Sequence, residues 1–255
     1  MGVDMTFSGK VAVIAGGGGI GGATARRLAA GGVAVAIGDL DGGSAEAVAG
    51  AIVAQGGQAF GQACDIGNEA DVNGLVEAAV VRYGGVDMLH VNAADLQVIF
   101  RDSNAVDVDL AVFDRTLAVN LRGHLLCTRA AIPRMLARGG GAIVYTSSSA
   151  AFIGEAERPC YAMAKAGIHA LMRHVASRWG KAGIRANVVA PGFVLTENNL
   201  KTMPEEFKAL ALGKTRSTRT GKPEDIAAMV CLLLADDGEW INGQVISVDG
   251  GATMR

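Results

Sequence analysis

The chain has 255 residues, half of them apolar, and a formal net charge of −2. This charge balance provides no basic surface for nucleic acid. No N-terminal segment joins basic residues to a long apolar run, so we expect a cytoplasmic protein without a membrane span. The four cysteines and four histidines lack the spacing of a disulfide framework or of metal ligands, so no metal site is predicted.

Short β-branched runs alternate with longer amphipathic runs along the chain. The predicted strands are 11–14, 33–37, 58–63, 86–91, 142–145, 184–189 and 245–248. The predicted helices are 20–30, 43–55, 68–83, 107–137, 223–235 and one that carries Tyr161 and runs to about residue 181. This alternation predicts an α/β fold, a single Rossmann-like, doubly wound parallel sheet of about seven strands with helices on both faces.

The chain length allows one large α/β domain or two small ones. No linker rich in proline, serine or charge separates the predicted units, so we predict one domain over residues 1–255. Residues 196–221 are the exception, because they are polar and charged and contain no predicted strand. We expect this segment to be a mobile excursion, a lid over a site.

A glycine-rich turn follows the first predicted strand and opens the first helix. The stretch from Gly16 to Gly22 holds a single residue other than glycine, Ile20. Glycine allows a sharp turn there and lets a pyrophosphate reach the unpaired N–H groups of the helix N-terminus. The alternative is a turn that only joins strand to helix.

Asp39 ends the second predicted strand, about 20 residues beyond these glycines. A carboxylate at this place accepts hydrogen bonds from the ribose 2′-hydroxyl of a dinucleotide. It would repel a 2′-phosphate, and no arginine or lysine stands next to it, so NAD is favoured over NADP. The alternative, a solvated loop aspartate, fits Asp41 better.

Tyr161 and Lys165 lie four residues apart in a predicted helix. Residues at this spacing share a helix face, so the phenol and the ammonium can converge on one ligand. A nearby cation favours the phenolate and lowers the tyrosine pKa toward the range of efficient proton transfer. The pattern alone is weak, but a serine-rich run at residues 146–149 precedes it.

Together these motifs resemble the classical short-chain dehydrogenase/reductase family over residues 7 to 251. The resemblance implies hydride transfer between a nicotinamide and a secondary alcohol or ketone. The catalytic residues that it implies are Asn120, Ser148, Tyr161 and Lys165. The cofactor-binding residues that it implies are Gly16, Gly18, Gly19, Ile20, Gly21, Asp39, Leu40, Asp65, Ile66, Asn92, Ala93, Ala94, Tyr161, Lys165, Pro191, Gly192, Val194 and Thr196.

The resemblance also implies a role for each catalytic residue. Tyr161 would exchange a proton with the substrate oxygen, which Ser148 would hold. Lys165 would lower the phenol pKa and bind the nicotinamide ribose, and Asn120 would position a water that relays protons. The serine-rich run leaves open which serine acts, because a strand-end hydroxyl is the alternative for Ser148. A helix asparagine bonded to nearby backbone is the alternative for Asn120.

Three features depart from the family pattern. The glycine turn is one residue shorter, with Ala15 in place of the usual threonine, so its phosphate contacts are expected to be tighter. Ala94 replaces a glycine, and its methyl group narrows the space near the cofactor ribose. Cys160 precedes the predicted catalytic tyrosine, and we interpret it as a packing residue.

The main alternative function is a catalytically silent dinucleotide-binding sensor or scaffold. The presence of all four catalytic residues favours an enzyme. The family resemblance implies a homotetramer, and Ala164, Gly167 and Ala170 would allow close approach of a second copy. Apolar residues predict a pocket for a mid-sized hydrophobic alcohol. These residues are Leu96, Ile153, Phe193, Leu195 and Met203.

Overall fold

The computed structural model describes Phe7 and residues 9–196 and 203–254. Seven strands in this part of the chain form one parallel sheet in the order β3-β2-β1-β4-β5-β6-β7. The strands are β1 Val11–Ala15, β2 Ala34–Asp39, β3 Ala59–Ala63, β4 Met88–Val91, β5 Gly141–Thr146, β6 Ile184–Pro191 and β7 Val245–Val248.

Helices cover both faces of this sheet. The helices are α1 Ile20–Ala30, α2 Gly42–Ala54, α3 Glu69–Tyr83, α4 Leu110–Leu117, α5 Gly123–Ala137, α6 Pro159–Trp179, α7 Glu205–Gly213 and α8 Pro223–Leu234. Residues of α3, α5 and α6 share one buried apolar cluster, and residues of α1, α2 and α8 share another. None of the helices in the described ranges is long and apolar enough to cross a membrane.

Strand β1 shows how the sequence builds both cores. Val11 and Val13 pack into the cluster on the α3 side, whereas Ala12 and Ile14 pack into the cluster on the α1 side. Successive side chains of a strand point to opposite faces, so a strand buried on both faces is apolar throughout. The predicted seven-stranded, doubly wound Rossmann-like sheet is therefore confirmed.

The predicted helix over residues 107–137 is wrong in its start and in its continuity. The helix α4 begins at Leu110 because Asp109 caps it, accepting the N–H of Ala111 at 2.9 Å. A π-helical segment, Ala118–Arg122, then separates α4 from α5. Such segments widen one turn of a helix and often occur at functional sites.

Two other segments also differ in detail from the prediction. The helix that carries Tyr161 ends at Trp179, where a short 3₁₀ turn and the left-handed Gly183 follow. The excursion over residues 196–221 contains no strand within its described part but does contain α7. Its residues 197–202 lie outside the described residues.

The carboxyl ends of all seven strands lie at one edge of the sheet because the strands are parallel. The chain reverses its direction of travel across the sheet between β1 and β4. In open α/β sheets, ligands bind in the crevice outside the strand ends at this reversal. Strand β1 leads there into the glycine turn, and β4 leads into Asn92.

Candidate active site

Two positions of the glycine turn after β1 have no room for a side chain. Gly16 has φ +100°, and a Cβ there would collide with the backbone of Ala93. A Cβ on Gly21 would collide with the carbonyl oxygen of Gly16. Glycine is therefore required at both positions, and the turn brings backbone N–H groups to the N-terminus of α1, where an anion is favoured.

Asp39 lies beside this turn, as predicted. Its Oδ2 accepts the N–H of Gly18 at 3.1 Å, and its Oδ1 accepts the N–H of Asp41 at 3.1 Å. The carboxylate is half-buried at the end of β2, whereas Leu40 is exposed. These bonds hold a negative charge next to the turn, where a ribose hydroxyl could donate to it.

The ends of β3 and β4 place the next group of predicted cofactor residues. Asn92 donates from Nδ2 to the carbonyl oxygen of Gly16 at 3.1 Å and so braces the glycine turn. Ala93 packs against the same turn, and its neighbour Ala94 is half-buried. Asp65 accepts the N–H of Gly67 at 2.8 Å, which fixes the loop after β3.

The side chain of Ile66 is buried, unlike a side chain that contacts a cofactor from the protein surface. Its side chain is buried in the cluster on the α3 side, where a Cβ on Gly123 would touch it. Only its backbone is therefore suited to meet a cofactor. This packing also explains why α5 begins with glycine.

The segment that follows β6 lies close to the glycine turn. The Gly192 N–H donates to the carbonyl oxygen of Val248 at 3.2 Å, and Val194 forms a bridge with Gly221. A Cβ on Gly19 would lie 2.9 Å from Cγ2 of Thr196. The structure thus brings the two halves of the predicted cofactor site together across the sheet edge.

Tyr161 and Lys165 converge as their spacing predicts. The Lys165 Nζ lies 5.8 Å from the centroid of the Tyr161 ring and donates to the Thr146 carbonyl oxygen at 2.9 Å. The Lys165 side chain is only 1% exposed. Burial lowers its pKa to about 7, because a charged ammonium loses hydration there.

The pKa of the Tyr161 phenol is shifted in the direction opposite to the predicted one. Burial raises the pKa of Tyr161, and this effect outweighs a hydrogen bond with Ser148 and the positive charge of Arg158, which both lower it. Glu155 raises the pKa further. The expected lowering of the phenol pKa is therefore not found, because burial of the phenol dominates the shift.

Two neighbouring serines of the serine-rich run, Ser147 and Ser148, differ in burial. Ser147 is buried, donates from Oγ to the Lys165 carbonyl oxygen at 2.9 Å and contacts His169 Nε2 at 2.9 Å. Ser148 is half-buried, and its hydrogen bond with Tyr161 places its hydroxyl beside the phenol. Of these two serines, only Ser148 combines exposure with contact to the phenol.

Asn120 is fully buried in the π-helical segment. Its Oδ1 accepts the N–H of Asp95 at 2.8 Å, and its Nδ2 donates to the Asp95 carbonyl oxygen at 3.4 Å. The side chain therefore ties the loop after β4 to the segment between α4 and α5. Its role in positioning a water stays a prediction.

Sequence reasoning missed several polar residues around this site. Asp102 is buried and contacts the start of α6, and Thr146 accepts Lys165. His90 Nε2 contacts the Thr146 hydroxyl at 2.9 Å, and burial lowers the pKa of His90 to about 3. Their partners lie at least 19 residues away in the chain, so no local pattern signals them.

Cys160 packs inside the chain, as interpreted from the sequence. Its thiol is buried next to Tyr161, and burial together with a hydrogen bond to Asp102 raises its pKa to about 11. A thiol with a raised pKa holds little thiolate at neutral pH and is a poor nucleophile. Cys160 is therefore not a candidate catalytic group.

The residues at the sheet edge fit a dinucleotide. The glycine turn and the α1 N-terminus would hold the pyrophosphate, and Asp39 would accept the adenine-side ribose hydroxyls. Tyr161 and Lys165 lie at the end of β5, on the other side of β4 from the glycine turn. This order along the edge suits an extended cofactor that reaches from Asp39 to the phenol.

Comparison with known proteins agrees with this geometry. The enoyl-(acyl carrier protein) reductase family model matches residues 14–253. A protein of Bradyrhizobium diazoefficiens named "Probable short-chain type dehydrogenase/reductase" is 44% identical over 96% of this chain and 88% of its own length. Cis-4-hydroxycyclohexanecarboxylate dehydrogenase of Sinomonas cyclohexanicum is 35% identical over 97% of this chain and 98% of its own length.

A solved structure shares the whole fold as well. The crystal structure of levodione reductase superposes with a TM-score of 0.87 at 33% sequence identity. The match covers 96% of this chain and 97% of that chain.

Proposed function

Because the chain belongs to the short-chain dehydrogenase/reductase family, we propose that it is an NAD(H)-dependent oxidoreductase acting on a secondary alcohol or ketone. The bound nicotinamide would supply the hydride chemistry. The observation that carries the proposal is the convergence of Tyr161, Ser148 and Lys165 at the end of β5. A silent dinucleotide sensor would need the glycine turn but not this cluster.

The preference for NAD rests on Asp39. Its carboxylate is held beside the glycine turn by the N–H of Gly18. A 2′-phosphate would meet this negative charge, and the next residue, Leu40, offers no cation to offset it. The 2′-hydroxyl of NAD can instead donate a hydrogen bond to it.

The chain's own residues supply proton transfer and orientation. The Ser148 hydroxyl would donate to the substrate oxygen, and the Tyr161 phenol would accept the proton of an alcohol or donate one to a ketone. Burial lowers the pKa of Lys165 to about 7, and its Nζ lies 5.8 Å from the centroid of the Tyr161 ring, so it can gain or lose a proton near neutral pH beside the phenol. These steps need the phenol at a fixed distance from the substrate oxygen.

The substrate we propose is a mid-sized hydrophobic alcohol, with ring alcohols as the first choice. Leu96 and Ile153 are exposed, and the rings of Phe193 and Phe207 lie 6.0 Å apart. Leu195, by contrast, is buried, so its place in the predicted pocket wall stays a prediction. The names of the Sinomonas dehydrogenase and of levodione reductase support testing hydroxylated ring acids and diones.

We propose that the excursion over residues 196–221 covers the substrate. Its far end is anchored, because Arg219 makes two hydrogen bonds of 2.6 and 2.8 Å to Asp225 on α8. The bridge between Val194 and Gly221 joins its two ends. We propose that α7 forms part of this cover on a closed base, within one domain that spans the chain.

We propose a homotetramer, as the family resemblance implies. Met163 on α6 and Leu125 on α5 are exposed apolar side chains that a partner could cover. The small residues predicted to help are only partly available. Ala164 is buried within the chain and Gly167 packs near Leu121, which leaves Ala170 exposed.

The proposed function can be tested by following absorbance of the reduced dinucleotide with NAD or NADP and a panel of alcohols. The panel contains secondary alcohols, hydroxylated ring acids, cyclic diols, steroids and sugars. We expect turnover with NAD, and a loss of at least about 100-fold in Tyr161→Phe with unchanged NAD affinity. Tyr83→Phe, on α3, is the matched control. Tight NAD binding without turnover on any alcohol would support the silent sensor instead.

A further inference from the structure

The helix that carries Tyr161 has no cap of its own. Its N-cap residue, Arg158, has φ 68° and ψ 44° and makes no side-chain cap hydrogen bond. Among the described residues it is the only non-glycine residue with a positive φ. Pro159 has no N–H, so the first free donors of α6 are the N–H groups of Cys160 and Tyr161.

A carboxylate from a distant loop accepts both of these donors. Asp102, in the loop between β4 and α4, accepts the Cys160 N–H at 3.2 Å on Oδ1 and the Tyr161 N–H at 2.8 Å on Oδ2. The main-chain oxygens of Asp102 and Ser103 accept the Arg158 N–H at 3.0 and 3.1 Å. Asp102 is 2% exposed, so water does not compete for these bonds.

This contact differs from the caps of other helices in the chain. Asn68 and Asp109 cap α3 and α4 from the residue directly before each helix. Asp102 lies 58 and 59 residues from its partners, and one of its bonds is to the backbone of Tyr161 itself. It therefore fixes the first turn of α6 relative to the loop after β4, which Asn120 also holds through Asp95.

We propose that Asp102 is a positioning residue of the active site. Through its two hydrogen bonds it sets where the Tyr161 phenol stands relative to Ser148, which follows β5, and to Lys165, which lies deeper in α6. The negative charge also neutralises the positive end of the helix dipole at this turn. The inference rests on the proposed function, because it assigns a consequence for turnover to a contact that otherwise caps a helix.

The test compares Asp102→Ala and Asp102→Asn with Asp109→Ala, which removes a helix cap from the same loop region outside the site. Single-turnover rates are measured with NAD-saturated enzyme and the best alcohol of the panel, and are scaled to the folded fraction. A loss of folded protein alone does not change such a rate. Dinucleotide affinity is measured separately by titration.

We expect Asp102→Ala to lower the single-turnover rate about 10- to 100-fold, as small displacements of a reacting group do. NAD affinity should stay within about threefold, because Asp39 and the glycine turn are untouched. Asp102→Asn keeps one acceptor oxygen but loses the charge and turns its NH2 group toward the other N–H donor, so its rate should fall between those of the wild type and Asp102→Ala. Asp109→Ala should match the wild type.

An Asp102→Ala rate equal to that of Asp109→Ala would overturn the inference and leave Asp102 as a helix cap only. If Asp102→Ala does not fold, Asp102→Asn decides: a wild-type rate overturns the inference. A wild-type protein that turns over no alcohol overturns the proposed function and this inference with it.

Discussion

Replacing Lys165 with methionine should stabilise the protein while abolishing turnover. The ammonium is buried, and it donates a hydrogen bond to the Thr146 carbonyl oxygen. Its pKa is lowered from 10.5 to about 7, so the folded chain favours the neutral amine. Below pH 7 the folded state carries the full cost of a buried charge. Above pH 7 the folded amine is neutral while the unfolded one is still charged, and the cost of releasing the proton on folding falls as the pH rises toward 10.5.

The lowered pKa corresponds to about 5 kcal/mol, since each pH unit of difference is worth about 1.36 kcal/mol. Loss of the hydrogen bond to Thr146 and imperfect packing of methionine offset about 2 kcal/mol. We therefore expect Lys165→Met to gain about 3 kcal/mol of unfolding free energy at pH 6. At pH 8.5 the cost of burying Lys165 in the wild type is smaller by about 2 kcal/mol, so the gain in unfolding free energy of Lys165→Met should shrink to about 1 kcal/mol.

The assay is urea denaturation followed by tryptophan fluorescence at several pH values from 6 to 8.5, without added dinucleotide. Cysteines of the unfolded chain, whose ordinary pKa is about 8.5, begin to ionise near the upper limit, but they do so equally in both proteins and cancel in the difference. Lys181→Met controls for the removal of an exposed ammonium. A stability difference between Lys165→Met and wild type that stays constant from pH 6 to 8.5 would refute the lowered pKa of Lys165.

Three further substitutions test other parts of the account. The double change Asp39→Ala with Leu40→Arg should shift the coenzyme preference, measured as the ratio of kcat/KM for NAD to that for NADP, toward NADP. An unchanged ratio would mean that Asp39 does not discriminate between the two coenzymes. Gly16→Ala should abolish dinucleotide binding and lower the melting temperature more than Gly56→Ala does. Both have a positive φ, which costs about 1 kcal/mol, but only Gly16 has a neighbour within 4 Å of the new Cβ. Met163→Glu should shift the mass measured by light scattering from a tetramer toward the 26.0 kDa chain, and an unchanged mass would exclude α6 from the interface.

Elements with strong local signals could be predicted from the sequence. The bounds of α1 and β7 match the prediction, because a glycine turn and an apolar run define them locally. The break between α4 and α5 could not be predicted, since the π-helical segment has ordinary helix-forming residues. It coincides with Asn120, whose side chain bonds to Asp95 across 25 residues of chain.

The candidate site likewise contains residues that the sequence could predict and residues that it could not. The Tyr161 and Lys165 pair follows from helical spacing, and Asp39 follows from its place after a strand. The difference between Ser147 and Ser148 depends on which side chain packing buries, and Asp102 acts across more than 50 residues. The pKa of Tyr161 depends on how deeply the fold buries the phenol, which no spacing encodes.

The central claim is that hydride passes directly between the substrate carbon and a nicotinamide at the Tyr161 site. The most direct test uses an alcohol from the panel that carries deuterium on its carbinol carbon, with NAD and mass analysis of the products. The account predicts one deuterium in each reduced dinucleotide with the wild type, and at least about 100-fold less labelled dinucleotide in the same reaction time with Tyr161→Phe. Ketone formation without label in the dinucleotide, or equal labelling by Tyr161→Phe, would contradict it.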